Sequence, residues 1–178
     1  MALQHIQTVD VTSAVASVFL TGIDDDSVYK VILSNVSNAS GSYQLRMRVA
    51  NSSTQDSAAN YDYGYKLIRS DTTFSNGAVA NASFFGATTT STNVYSVQNQ
   101  SLYLYNWYST SEYSMWTCEE VASDSSGNNI GLTGGGVFDQ AERHDSIRFF
   151  IGNSVSSEYD MTQGKFSLYK VTWYELYT

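Results

Sequence analysis

Proline is missing from all 178 residues, and cysteine occurs once, at Cys118. A lone thiol excludes any disulfide within the chain, and without proline there is no rigid or polyproline linker to separate domains from one another. Charge is sparse too: Asp, Glu, Lys and Arg make up 15 % of the residues, against a usual share of about 25 %. Nine residues are basic, they are scattered, and the net charge is −8. A surface that binds phosphates needs an excess of Lys and Arg, so nucleic acid is not expected as a partner. Histidine is limited to His5 and His144. With one cysteine these give no pair of zinc ligands. The apolar stretch from Ala14 to Leu20 is too short to cross a bilayer and follows no basic leader, so neither a membrane partner nor export is expected, and synthesis is placed in the cytoplasm.

In place of charge the chain is rich in Ser, Thr and Asn, and in aromatics, with tyrosine occurring 14 times. Tyr, Thr and Val suit a pleated, half-buried surface, and no stretch keeps an apolar face at helical spacing for three turns. The expectation is an all-β protein. Alternation is clearest in Tyr43-Gln-Leu-Arg-Met-Arg-Val-Ala, where Tyr43, Leu45, Met47 and Val49 face one side and Gln44, Arg46 and Arg48 the other. The two arginines on one strand face leave room for a local basic patch. Ile147, Phe149 and Ile151 share a face near the C-terminus, and Phe166 and Leu168 oppose Lys165 and Ser167. Val28-Tyr-Lys-Val-Ile-Leu-Ser is apolar on both faces, which predicts a central strand covered on both sides. The turn-rich Asn35-Val-Ser-Asn-Ala-Ser-Gly after it predicts a hairpin, or close neighbours, with the Tyr43 strand.

Further strands are predicted over 3–11, 14–20, 61–68, 79–85, 101–107, 113–121, 145–151 and 165–174, with loops at 51–60, 71–77, 88–92, 123–136 and 153–163. About ten strands separated by turn signals fit a single domain over residues 1–178, a jelly-roll-like antiparallel β-sandwich. The Ser/Asn/Gly run from Ser123 to Gly136 is read as a long surface loop, with Gly134-Gly135-Gly136 permitting a bend before Val137. Those glycines lack the Gly-Lys-Ser/Thr ending of a phosphate loop.

Catalytic patterns are weak. A serine hydrolase needs a histidine base oriented by a carboxylate. His144 and Asp145 are adjacent and would diverge on a strand, no Gly-x-Ser-x-Gly elbow occurs, and His144 is read as a surface or loop residue. Glu112, Glu119, Glu120, Asp139 and Glu142 could in principle supply the two carboxylates of a glycosidase, but Glu119 and Glu120 would also diverge. Solvated carboxylates are the expected reading. Asp24-Asp25-Asp26 has the oxygen density that calcium prefers, but no alternating ligand loop follows, and a polar turn is expected. Neither a cofactor, a metal nor an enzymatic activity is predicted. Asn-x-Ser triplets begin at Asn35, Asn38, Asn51, Asn81 and Asn99, which this composition yields by chance.

The remaining signal is aromatic. Tyr61, Tyr63 and Tyr65 fall on one strand face. In Leu102-Tyr-Leu-Tyr-Asn-Trp-Tyr108, alternation puts Tyr103, Tyr105 and Trp107 on the face opposite Leu102 and Leu104. With Tyr108 these are the candidate interface or glycan-binding residues, because Tyr and Trp offer large contact area with a polar tip.

Several phrases, in this order, resemble virion-associated proteins of tailed bacteriophages. They are the opening Met1-Ala-Leu-Gln-His-Ile-Gln-Thr-Val, then Val28-Tyr-Lys-Val-Ile-Leu-Ser, Asn60-Tyr-Asp-Tyr and Leu102-Tyr-Leu-Tyr-Asn-Trp-Tyr, and finally Asp145-Ser-Ile-Arg-Phe-Phe and Gly164-Lys-Phe-Ser-Leu-Tyr-Lys-Val. Where such proteins carry a Ser-Arg-Ser phrase, this chain has Ser34-Asn35-Val36-Ser37. The resemblance implies a non-enzymatic β-sandwich on the virion, as capsid decoration or as a tail or fibre component. It would bind capsid or tail subunits and form a homo-oligomer, with a trimer favoured. A lectin-like module for a host surface glycan is the alternative.

Overall fold

The computed structural model describes residues 2–38, 43–71, 74–86, 97–123, 127–152 and 157–173. These residues form strands β1 (Ala2–Val11), β2 (Ser17–Thr21), β3 (Tyr29–Asn38), β4 (Gln44–Asn51), β5 (Thr54–Gln55), β6 (Tyr61–Arg69) and β7 (Phe74–Ala82). Then follow β8 (Phe85–Gly86), β9 (Gln98–Tyr105), β10 (Ser114–Ser123), β11 (Asn129–Phe138), β12 (Ser146–Gly152), β13 (Glu158–Tyr159) and β14 (Met161–Thr172). No helix occurs among the described residues.

The strands make two antiparallel sheets packed face to face, an all-β sandwich. The larger sheet has the order β1-β14-β3-β9-β10-β11-β6-β7. In the smaller one β12 pairs with β4 on one side and with β2 and β13 on the other, while β5 and β8 pair with β4. Alternation along each strand supplies the core between them. Tyr29, Val31 and Leu33 of β3, Leu102 and Leu104 of β9 and Phe166 and Leu168 of β14 meet Leu45, Met47 and Val49 of β4 and Ile147, Phe149 and Ile151 of β12. Phe149 and Phe166 touch across the layers with ring centroids 5.5 Å apart, and Phe85 packs on Tyr61 and on Trp116. Each such side chain, taken out of water, contributes roughly 1.5 to 3 kcal/mol.

Three expectations are corrected here. First, β3 and β4 do not form a hairpin. β3 lies between β14 and β9, while β4 pairs with β12, so the chain changes sheets between them. Second, the supposed surface loop 123–136 contains most of β11, which sits between β10 and β6. Gly134, Gly135 and Gly136 lie within the strand, are there for closeness of approach, and do not make the expected bend before Val137. A Cβ at Gly136 would come within 2.5 Å of the Asp62 carbonyl oxygen and 2.7 Å of Trp116 Nε1, and one at Gly134 within 2.7 Å of the Gly64 carbonyl oxygen. Third, much of the expected loop 71–77 belongs to β7, which begins at Phe74 and ends three residues before Phe85. The expected loop 88–92 lies outside the described residues.

Candidate interaction surfaces

The large sheet turns one face to the core and the other outward. Tyr103 and Tyr105 project from the outer face, as their alternation with Leu102 and Leu104 requires, and both keep part of their surface in solvent. Their rings lie 6.5 Å apart and 26° from parallel. Lys30, opposite Tyr103 in the register, donates from Nζ to the Tyr103 hydroxyl at 3.2 Å and lies 4.9 Å from the ring centroid. On the other side Tyr103 pairs with Thr117 and Ser101 with Glu119, and Thr133 follows on β11.

These side chains rim a depression of about 230 Å³, continuous in register with a more open one of about 440 Å³ that reaches Ile32, Asn99 and Val121. Apolar atoms are exposed around it, with Met115 42 % and Val121 57 % accessible. Phenols, hydroxyls and one carboxylate on a broad, shallow floor suit contacts with a polar protein surface or a polyhydroxylated ligand.

The other aromatic candidates face inward. Tyr61, Tyr63 and Tyr65 do share one face of β6, but it is the core face. Tyr61 is fully buried with its hydroxyl donating to the Asp56 carbonyl oxygen, and Tyr63 and Tyr65 pack against the core. Burial pushes the Tyr61 phenol far above its ordinary pKa. Tyr108 is half-buried beneath Arg143.

Trp107 is a correction. Its expected place beside Tyr103 and Tyr105 assumes that β9 continues through it, but β9 ends at Tyr105 and Asn106 takes a φ of 55°. One left-handed residue breaks the two-residue alternation, and the indole swings into the core with no exposure. There Nε1 donates to the Ser146 carbonyl oxygen at 3.1 Å, and the Trp107 carbonyl accepts from the His144 amide at 2.8 Å.

His144, expected as a surface or loop residue, lies in the connection before β12 but is buried there. It packs edge-on against Phe138 and Trp107, and its Nδ1 lies 3.2 Å from Ser114 Oγ. Burial lowers its pKa to about 4. The pair has the spacing of a nucleophile and its base, but Ser114 has no accessible surface, so a substrate carbonyl has no approach to it.

The Arg46 and Arg48 strand face does not make an exposed basic patch. Both guanidinium groups are buried, with Arg46 over the Phe84 ring and Arg48 over Phe150. Arg148, which no sequence pattern singled out, stands opposite Arg48 on β12 and is buried as well. Its position on the polar face of the Ile147-Phe149-Ile151 alternation was the available signal.

In register with Leu104, where Tyr29 of β3 lies opposite Lys170 of β14, Asp24 and Asp25 accept hydrogen bonds from the Tyr29 hydroxyl at 2.9 and 3.1 Å and are bridged by Lys170. Burial and hydrogen bonding set opposing pulls on Asp25, and the Lys170 and Ser27 hydrogen bonds prevail, holding its pKa near 2. Among the described residues no group of three or more His, Cys, Asp or Glu side chains is arranged to hold a metal. Cys118 is a buried free thiol whose pKa burial pushes up to about 12.

Compared with known proteins, the chain matches no family model, no curated protein and no solved structure.

Proposed function

We propose that this chain is a non-enzymatic structural protein of a bacteriophage virion, a decoration, tail or fibre component that binds capsid or tail subunits and its own copies. The observation that carries this reading is the outward face of the large sheet, where Tyr103 and Tyr105 stand among partly exposed hydroxyls and apolar side chains. The ordered resemblance along the chain supports it. A particle repeats one contact many times, so a modest interface on a broad sheet face suffices through multivalency.

The test is co-sedimentation with purified capsids and tails. The wild type should pellet with one of them, and the double variant Tyr103→Ser/Tyr105→Ser should stay in the supernatant with an unchanged melting temperature. A wild type that pellets with neither particle overturns the reading.

A second reading, a lectin-like module, is favoured by one feature. The Ser101, Thr117 and Thr133 hydroxyls and the Glu119 carboxylate converge beside the Tyr103 ring, an arrangement suited to sugar hydroxyls. Retention of the protein on an array of bacterial surface glycans, lost in the same double variant, would favour it over assembly.

A further inference from the structure

One border of the large sheet is β7, nine residues long, or about 30 Å of extended chain. Among the described residues its ladder partner is β6 alone, in unbroken register from Phe74 opposite Ile68 to Val79 opposite Tyr63. The outer side of this strand therefore presents a row of backbone donors and acceptors. Such edges template the pairing of another strand, and soluble proteins blunt them with charged side chains, proline or bulges.

The opposite border follows that rule. β1 is interrupted by a bulge between His5 and Gln7, and it carries Asp10 in an ion pair with Lys165. β7 does not follow it along most of its length. Phe-Ser-Asn-Gly-Ala-Val-Ala-Asn-Ala has no charge and no proline, and its one irregularity, beside Asn81 at a φ of 54°, is confined to the C-terminal end.

The chemistry of the strand identifies the partner. An antiparallel pair about a two-fold axis sets the residue on the axis opposite its own copy, and residues equidistant on either side of it opposite each other. A charge at the axis would then face its own copy, which is unfavourable directly across a ladder. An uncharged strand meets no such conflict, and on a protein of net charge −8 it offers a neutral line of approach. Ala78 is exposed near the middle of the strand, with Asn76 and Ala80 two residues to either side, so no large side chain blocks contact at the centre. Phe74 and Val79, 65 % and 40 % accessible, supply apolar surface to cover.

We propose that two copies of this chain pair β7 against β7, antiparallel about an axis near Ala78, and merge their large sheets into one continuous sheet. The contact rests on the assembly reading above and names one of its interfaces. It is isologous, so it builds dimers. The trimer favoured above could not be built by this contact, which is two-fold, and would need a head-to-tail joint instead.

Sedimentation equilibrium on the purified full-length chain tests this, at concentrations on the order of 100 μM, above the micromolar range of transient contacts. The wild type should be a dimer. Ala78→Lys and Ala78→Glu should each weaken the dimer about threefold to fivefold by opposing like charges, while their equimolar mixture restores it. Ala78 is exposed, so both variants should melt with the wild type, and recovery in the mixture shows that neither is misfolded. A monomeric or trimeric wild type, or single variants that dimerise like the wild type, overturns the proposal. Co-sedimentation keeps the two readings apart. A monomeric wild type that still pellets with particles overturns the β7 contact alone. A dimer sensitive to Ala78 that pellets with no particle upholds the β7 contact and overturns the virion reading.

Discussion

Arg48 on β4 and Arg148 on β12 stand directly opposite each other, both buried, and the Glu158 carboxylate reaches the pair from β13. Two guanidinium groups so placed repel, and the surroundings compensate. Arg148 donates to Glu158 through two nitrogens, both arginines donate to Gln55 Oε1, and the Phe150 ring lies 4.6 Å from one guanidinium carbon and 4.9 Å from the other. Tyr159, next to Glu158, stacks on Tyr43 at 3.6 Å and fixes the approach of β13. The Arg148 hydrogen bonds hold the Glu158 carboxyl below its ordinary pKa.

Removing that one negative charge should therefore be costly. Glu158→Gln keeps the shape but leaves two facing cations, and a loss of about 2 kcal/mol is expected, below the usual range for a buried pair because Glu158 retains 27 % exposure. Urea unfolding at neutral pH measures it. A midpoint equal to that of the wild type would show that the arginines do not depend on Glu158.

Acid should destabilise the fold in a window set by His144. Its pKa is about 4 when folded and about 6.5 in an unfolded chain. Between those values the unfolded state binds the extra proton, so stability rises with pH there and falls as pH drops from 6.5 towards 4. The full difference is roughly 3 kcal/mol. Glu158 acts lower. Its folded pKa is depressed, so its contribution is present above its unfolded pKa and lost as pH falls through the folded value. Unfolding free energies at pH 7 and pH 5 should thus differ in the wild type and nearly coincide in His144→Asn, whatever that variant's overall stability. An equal slope in both proteins would place the titrating group elsewhere.

Strands whose apolar residues alternate with polar ones were legible in the sequence. The Tyr43–Ala50 and Ser146–Gly152 strands have the faces that their patterns predict, because a two-residue period survives any choice of partner. What alternation cannot report is the partner itself. The β3–β4 connection reads as a hairpin because its turn residues are the same whether the chain returns to one sheet or changes to the other. β11 was hidden because Gly131, Gly134, Gly135 and Gly136 carry no side chain to pattern, and for the last three the reason for being glycine lies in the neighbouring strands. The first part of β7 reads as a loop because Ser75, Asn76 and Gly77 follow Phe74 there, whereas its end from Val79 falls in the strand predicted over 79–85. Arg46 and Arg48 were placed on the right face, but their burial depends on Phe84 and Phe150, both distant in sequence. Trp107 was lost to one residue, Asn106, whose left-handed backbone nothing in the local pattern requires.

The glycines of β11 should respond unequally to the smallest possible substitution. Gly136→Ala pushes a methyl group against the Asp62 carbonyl oxygen and the Trp116 indole. Backbone and a ring cannot give way cheaply, so a loss of about 2 to 3 kcal/mol is expected. Gly131→Ala meets its nearest atom, the Glu120 carbonyl oxygen, at 4.0 Å, and should stay within about 0.5 kcal/mol of the wild type. Thermal melts of the two variants give the comparison directly. Equal melting temperatures would mean that close approach is not what selects glycine at 136.

Trp107 ties the turn after β9 to the start of β12, and its substitution should read as a core defect with no selective effect on assembly. Trp107→Ser empties a fully buried indole site beside His144 and also removes the donor to the Ser146 carbonyl. Losses of about 3 to 5 kcal/mol accompany such truncations, enough to unfold much of the chain at moderate temperature. Trp107→Phe separates the two contributions. The ring fills most of the space but cannot donate, so a smaller cost, about 1 to 2 kcal/mol, should remain from the unsatisfied carbonyl. Tyr103→Ser on the outer face has neither effect and should melt close to the wild type. The expected order of melting temperatures is therefore Tyr103→Ser highest, Trp107→Phe next and Trp107→Ser lowest. If Trp107→Ser melted with the wild type while losing only its partners, the indole would have to lie on the outer face, and the break in alternation at Asn106 would be wrong.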